Sequence, residues 1–393
     1  MSMRATEAGG VPPQVVKSAR TLRTLVRLAC DKRPGDHPGM RWLAGSLALA
    51  LSGCPSDGGG PDMTPDASPS GCPAEQALRD ALSLVVSDVD FSFAVERTDG
   101  RRFVYERAPS TMQTSYESAS TSKLVTAVIV LRAVDDGVLS LDSRPADVLP
   151  GWPIMAPDPL AEITLADLLS FTSGLVDEPL CLNGPAQDFA GCVMTIGTRN
   201  MGNGRTPGTE FFYASTHLQV AGLMAMQAKG VTTWGALVDE LGSETGLFAT
   251  STYDLPSSTN PRLAGGMHWT GDEYSAFLRK LAAGELLQPA TQTALLGDHT
   301  ASATTGYSPV ASELNEAWHY GFGLWHECQS ATFTCTAGAR VSSPGAYGAY
   351  PFWDRDKGYF GLLARQGDLG SFPQGIAAER AVRAEVEAWL SCP

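Results

Sequence analysis

Apolar residues recur at helical spacing from Ala74 to Val86, where Ala77, Leu78, Leu82, Val85 and Val86 predict one buried face. Phe91, Phe93 and Val95 then alternate with small or polar neighbours, the period of a half-buried strand. Asp99-Gly100 marks a hairpin, and Phe103-Val104-Tyr105 begins the return strand. From Ser120 to Asp136 the pattern becomes helical, with Gly137 as the stop. Between Leu124 and Leu131 this helix is apolar on every side, so it is expected at the centre of the molecule. Pro145, Pro150 and Pro153 make 141–153 a loop. Thr164 reads as the cap of a helix beginning at Leu165. Further helical patterns cover Thr216–Ala228, Thr233–Leu241, Asp272–Ala283 and Ile376–Leu390. Strand patterns return at Gly321–Trp325, Ala339–Val341, Ala349–Trp353 and Tyr359–Leu363. Strands therefore lie at both ends with mostly helix between them. That order predicts an α+β fold with one antiparallel sheet from the terminal segments, flanked by helices, and a mostly helical middle region.

The chain has 393 residues and a net charge of −14 from 28 basic and 42 acidic residues. Residues 1–54 hold eight of the basic and three of the acidic ones, leaving a net of −19 for 55–393. So acidic a domain argues against nucleic acid as a partner. No run of about 18 apolar residues exists to span a bilayer as a helix. Met40-Arg41, a short start with one basic residue, instead precedes a short apolar stretch, Trp42 to Leu51, ending in Leu51-Ser52-Gly53-Cys54. This is the pattern of an export signal, and its ending resembles a bacterial lipobox, in which the thiol of the last residue takes lipid and becomes the first residue after cleavage. The expectation is a signal peptide over 40–53 and a lipid on Cys54, with membrane attachment at the cell envelope on the periplasmic or extracellular face. Residues 1–39 then read as upstream sequence or an extended n-region, with Met40 the preferred start. Residues 54–72 are dominated by Gly, Pro, Ser and Asp and read as a tether. The domain expected to do chemistry is 73–393.

Six cysteines fall in that domain or at its edge. An even number outside the cytosol predicts disulfides. Six allow fifteen pairings, and sequence does not choose rigorously among them. Local spacing favours Cys181 with Cys192 and Cys328 with Cys335, which would leave Cys72 and Cys392 to bridge the two ends. A metal site is not expected: no C-x-x-C occurs, and His326-Glu327 lacks a second His at the zincin spacing. No cofactor is implied.

Candidate chemistry begins at Ser120-Thr121-Ser122-Lys123. Residues three apart share a helix face, so the Lys123 amine can reach the Ser120 hydroxyl. A partly desolvated amine is a base able to activate a serine. Alone such a spacing is weak. Its surroundings add weight: Ser118-Ala119-Ser120-Thr121-Ser122-Lys123, Asp136-Gly137, Leu139-Ser140-Leu141-Asp142, Leu149-Pro150 and Ile163-Thr164-Leu165-Ala166-Asp167-Leu168-Leu169-Ser170-Phe171-Thr172-Ser173-Gly174-Leu175 follow in order. Downstream come Tyr213-Ala214-Ser215, Ala264-Gly265-Gly266-Met267, Gly284-Glu285-Leu286-Leu287 and Ser343-Pro344-Gly345-Ala346-Tyr347. This run resembles the serine hydrolases related to class C β-lactamases and penicillin-binding proteins, over roughly residues 75–390.

The resemblance implies roles. Ser120 would be the acyl-accepting nucleophile and Lys123 its base. Tyr213 would shuttle protons, its phenol acidified by neighbouring cations. The amides of Ser120 and Ala346 would form an oxyanion hole. Ser215, Ser343, Gly345 and Tyr347 would contact substrate. In this family the first and last helices pack together, which suits a Cys72–Cys392 bridge. Three positions depart from the family pattern. Phe171 stands for a His, Ser215 for the Asn of Tyr-x-Asn, and Ser343 for a Lys or His. His217, His268 and His319 are read as structural.

The expected function is a serine hydrolase acting through an acyl-enzyme on a small-molecule ester, small amide or D-amino-acid peptide of peptidoglycan origin. The alternatives are a D-alanyl-D-alanine carboxypeptidase or β-lactamase, and a non-catalytic cell-wall-binding lipoprotein. Because Ser343 supplies no charge, neutral esters are expected to be preferred over penicillins, with Tyr347, Tyr350, Phe352 and Trp353 as an apolar wall. Arg340, three residues before Ser343, is the cation that could overturn this.

Overall fold

A computed structural model describes residues 72–393. The expected upstream segment, signal peptide, Cys54 lipid site and most of the tether lie outside the described residues. No helix among the described residues is long and apolar enough to cross a membrane.

Helix α1, Pro73–Leu84, leads into the hairpin β1, Ser92–Arg97, and β2, Arg102–Glu106. The turn between the strands carries Gly100 at φ +93°, a left-handed conformation that suits glycine. The sheet is completed from the far end of the chain by β3, His319–Tyr320, β4, Trp325–His326, β5, Arg340–Ser342, β6, Tyr350–Asp354, and β7, Tyr359–Ala364. Its order is β2-β1-β7-β6-β5-β4-β3, antiparallel throughout. Both ends of the chain thus build one sheet, and the helical region is inserted between β2 and β3.

The core sits on both faces of this sheet. Helices α1, α5 (Phe372–Arg380) and α6 (Arg383–Leu390) cover one side, and α4 (Gly271–Ala282) covers the other. This double cover explains why β1, β6 and β7 are buried almost end to end and show no half-buried alternation. Two other expectations shift. Of the expected strand Gly321–Trp325 only Trp325 is in a strand: residues 321–324 are the turn joining β3 to β4, with Gly323 at φ +72°. The closing helix is two, α5 and α6, broken at Ala381-Val382.

Helix α2, Ser122–Asp135, buries residues on every side, as its apolar composition requires. It packs against α3, Thr216–Lys229, which is equally enclosed. Gly222 is where they fit with the 261–266 loop, since a Cβ there would lie 2.1 Å from Leu263. Thr164 caps the short helix Leu165–Leu169 through a reciprocal box with Asp167. The structure contains the disulfides Cys72–Cys392, Cys181–Cys192 and Cys328–Cys335, with Cα separations of 5.8, 5.6 and 5.5 Å. The first joins the start of α1 to the residues just after α6.

Candidate active site

Ser120 lies in a single 3-10 turn, Ala119–Thr121, that runs straight into α2. The turn is tight enough to hold Ala119 at φ +44°. One turn later, Lys123 points back along the helix. Its Nζ lies 2.9 Å from Ser120 Oγ and 2.8 Å from the Ala264 carbonyl oxygen. Lys123 is only 4% exposed and forms no ion pair among the described residues, so burial pulls its pKa down to about 7, against a pull upward from Glu178 and a smaller push downward from Arg262. At neutral pH a large share of this amine is therefore uncharged and basic. Ser120 itself stays half-exposed.

Tyr213 follows the short strand Glu210–Phe212 and reaches Ser120 from the other side. Its phenol hydrogen-bonds to the Ser120 side chain, and its ring lies 4.7 Å from Lys123 Nζ. The expected acidified phenol is not what the structure holds. Burial pushes Tyr213 well above the ordinary tyrosine value, only partly offset by the hydrogen bond to Ser120. The nearby Tyr307 and Glu178 add to the upward push. The ring is fixed by stacking on Trp325, centroids 5.2 Å apart, and by Phe171 at 5.5 Å. Phe171 in turn stacks on His217 at 4.9 Å. His217 bridges Ser173 Oγ and the Phe212 carbonyl, and burial lowers its pKa to about 3, so it is a neutral strut. His268 and His319 pair with Asp254 and Asp298.

The segment after β5 closes the third side. Gly345 lies against the Ser118 carbonyl, where a Cβ would come within 2.5 Å, so only glycine allows this approach. Ser343 is buried and donates through Oγ to the carbonyls of Ser120, at 3.2 Å, and Gly323, at 3.3 Å. It ties the nucleophile's backbone to the sheet and faces protein, not an open cleft. The next residue after Gly345, Ala346, is half-buried. Its amide has no partner among the described residues, while its carbonyl is held by Gly370 N–H. Tyr347 is half-buried beside it, with Glu117 and Arg262 in electrostatic range.

The apolar wall expected from Tyr350, Phe352 and Trp353 is absent from this cleft. All three are buried in the sheet core: Tyr350 bonds to Glu327 and Phe352 stacks on Phe93. Arg340 is likewise unavailable, being enclosed by Glu327, Asp354 and Glu379.

Sequence reasoning assigned no role to several residues that the fold brings here. The Ala264 carbonyl orients Lys123. Glu178 accepts the backbone N–H of Ser215, and Arg262 donates to Asn183 on the same 177–183 segment. Trp325 supports Tyr213. Among the described residues, no cluster of His, Cys, Asp or Glu could hold a metal ion.

The beta-lactamase family model matches residues 92–383, which spans the sheet, the Ser120–Lys123–Tyr213 cluster and the segment around Ser343. The chain belongs to the beta-lactamase family. That makes it a serine hydrolase of the beta-lactamase-related type. The chain is 31% identical over 142 residues to penicillin-binding protein 4 of Amycolatopsis lactamdurans, a match covering 36% of this chain and 37% of that protein. Among solved structures, a putative beta-lactamase from Bacteroides dorei is 26% identical with a TM-score of 0.61, covering 76% of this chain and 93% of that one. A penicillin binding protein from Bacillus halodurans shares the fold at 19% identity and a TM-score of 0.57, covering 80% and 98%.

Proposed function

We propose that this chain hydrolyses small esters or amides, including amino-acid peptides, through an acyl-enzyme on Ser120. The observation that carries the reading is the Lys123 amine, 2.9 Å from Ser120 Oγ and shifted to about pH 7 by burial. Neutral Lys123 takes the Ser120 proton as Oγ attacks the substrate carbonyl carbon. The amides of Ser120 and Ala346 receive the oxyanion, and the lack of a partner for the Ala346 N–H among the described residues supports that assignment. Tyr213, kept protonated by its surroundings, hands its proton to the leaving alcohol or amine and regains one from Lys123. Water then attacks the acyl-enzyme by the same groups in reverse. Ser215 and Tyr347 border the acyl group, and Gly345 lets the third side approach.

Carboxypeptidase or β-lactamase action requires a substrate carboxylate beside the scissile bond. The third side of this site offers it neutral side chains, since Ser343 is spent on two carbonyls and Arg340 on three carboxylates. Losing a charge-assisted hydrogen bond costs about 1–2 kcal/mol in carboxylate binding. Steady-state kinetics is expected to give a larger kcat/KM for a short-chain aryl ester than for a chromogenic cephalosporin. The opposite ranking would favour the β-lactamase reading. Failure of a fluorophosphonate to label Ser120, with no turnover of either substrate, would favour a non-catalytic cell-wall-binding protein.

We further propose attachment to a membrane of the cell envelope through lipid on Cys54, on the strength of Leu51-Ser52-Gly53-Cys54 and the apolar run before it. Cys54→Ala is expected to move the protein out of the detergent phase in phase partitioning or to block its maturation. Unchanged partitioning would exclude the anchor.

A further inference from the structure

The rim beside the nucleophile carries a carboxylate with no ion-pair partner among the described residues. Glu178 is exposed, forms no ion pair among the described residues, and is held by one oxygen to the backbone N–H of Ser215. Its second oxygen has no partner among the described residues. Ser215 stands at the start of α3, two residues after Tyr213, and its hydroxyl does not cap the helix. Two acceptors, a carboxylate oxygen and a hydroxyl, therefore lie together on the Tyr213 side of Ser120. The segment bearing Glu178 is fixed there: Cys181, three residues on, is bridged to Cys192, and its carbonyl accepts from Asn260. Proximity to the catalytic groups shows in their electrostatics, because the Glu178 charge raises the proton affinity of both Lys123 and Tyr213. Arg262, the nearby cation, is turned to Asn183 and does not pair with Glu178.

An unpaired carboxylate at the mouth of an acyl-transfer site disfavours anionic acyl groups and favours cationic ones. We propose that Glu178, with Ser215, receives the free ammonium of the substrate's acyl portion, so that the preferred substrates are amides and esters of amino acids with an unblocked amine. This rests on the acyl-enzyme reading above and narrows its substrate class. The reaction balances simply. The Ser120 Oγ–carbonyl carbon bond forms as the bond to the leaving amine or alcohol breaks, and that group departs with the proton taken from Ser120. Water then splits the aminoacyl ester, releasing the free amino acid and restoring the Ser120 hydroxyl. The neutral third side fits this polarity, because no carboxylate is demanded on the leaving group.

A second explanation for Glu178 is capping of α3 through Ser215 N–H, and the two separate cleanly by experiment. The purified protein is assayed on alanine p-nitroanilide, as both enantiomers, and on the N-acetylated forms, with phenyl acetate as a neutral reference. The wild type is expected to prefer the free amine by about tenfold in kcat/KM, a size suited to a charge-assisted contact at a solvated rim. That preference shrinks above about pH 8 as the amine loses its proton. Glu178→Gln is expected to bring the ratio of free-amine to acetylated substrate near one, since any change in the proton affinity of Lys123 acts on both substrates and cancels in the ratio, and Glu178→Lys to invert it. A capping role would lower both substrates alike, and a ratio unchanged in Glu178→Gln overturns the proposal. Phenyl acetate hydrolysis with no amine preference in the wild type overturns this inference alone. Loss of phenyl acetate hydrolysis together with absent fluorophosphonate labelling overturns the acyl-enzyme reading as well.

Discussion

Ser120→Ala is expected to lower kcat by about four to six orders of magnitude, with KM little changed, because removing Oγ removes the atom that forms the covalent bond. Lys123→Ala is expected to fall nearly as far. Its Nζ is the base within hydrogen-bonding distance of Ser120 Oγ, and the Ala264 carbonyl holds it in place. The double variant should be scarcely worse than either single one, since the two act as a unit. The wild-type pH profile follows from the same geometry. The neutral amine is the active form and burial brings its pKa to about 7, so kcat/KM is expected to rise with pH through that value and flatten above it. An acid limb near pH 5 would instead point to a carboxylate as base. Ser120→Ala with wild-type turnover of an aryl ester would place the nucleophile elsewhere.

Arg340→Met is expected to destabilise the fold by about 3–5 kcal/mol, the cost of stranding buried charge. The guanidinium touches Glu379 at 2.8 Å and Asp354 and Glu327 at 3.3 Å, and lies 4.6 Å from the Phe352 ring centroid. Without it only Arg383 remains to face Glu379, and Glu327 and Asp354 lose their cation. In the intact protein burial pushes Glu327 up, but Arg340 and the hydrogen bond from Tyr350 leave its pKa below the usual carboxylate range. Glu327 therefore stabilises the fold above the unfolded carboxylate pKa and loses that contribution as pH falls through the lower folded value. In the variant the carboxylates can escape their cost by protonation, so the deficit is expected to be larger at pH 8 than at pH 5. Differential scanning calorimetry checks both statements. The Tm at pH 8 should drop by roughly 5 °C or more. A variant melting with the wild type would show the cluster to be energetically idle.

The sequence is most transparent where a single pattern decides the outcome. The stretch Leu124–Leu131 has no polar side, so it has to be enclosed, and Ser120 and Lys123 follow from their spacing on that helix. Thr164 with Asp167 announces its cap locally. What stays hidden depends on contacts between distant segments. Tyr350, Phe352 and Trp353 follow the Ser343 motif closely, yet the sheet is covered on both faces and takes all three rings inside. Arg340 has the charge to serve the cleft, but three carboxylates from β4, β6 and α5, or the residues beside them, surround it. Gly323 ends a strand pattern because the β3–β4 turn has to pass over Lys123, where a Cβ would come within 2.6 Å of its carbonyl. Glu178 is one acidic residue in an acidic domain. What sets it apart is its place beside Ser215 with no ion pair among the described residues, and only three-dimensional placement reveals that.

The bridge between Cys72 and Cys392, 320 residues apart, makes nearly the whole described polypeptide a covalent ring. A ring tolerates one break. Cleavage of any single exposed loop between these cysteines yields two pieces that remain one molecule. Both nicked strands of such a molecule stay connected to whatever holds residue 72. The segment carrying Ser120 and the segment carrying Ser343 belong to opposite halves of the chain, and the ring prevents their separation after a cut between them. Durability against proteases is thus built into the connectivity, independent of how tightly the helices and sheet are packed.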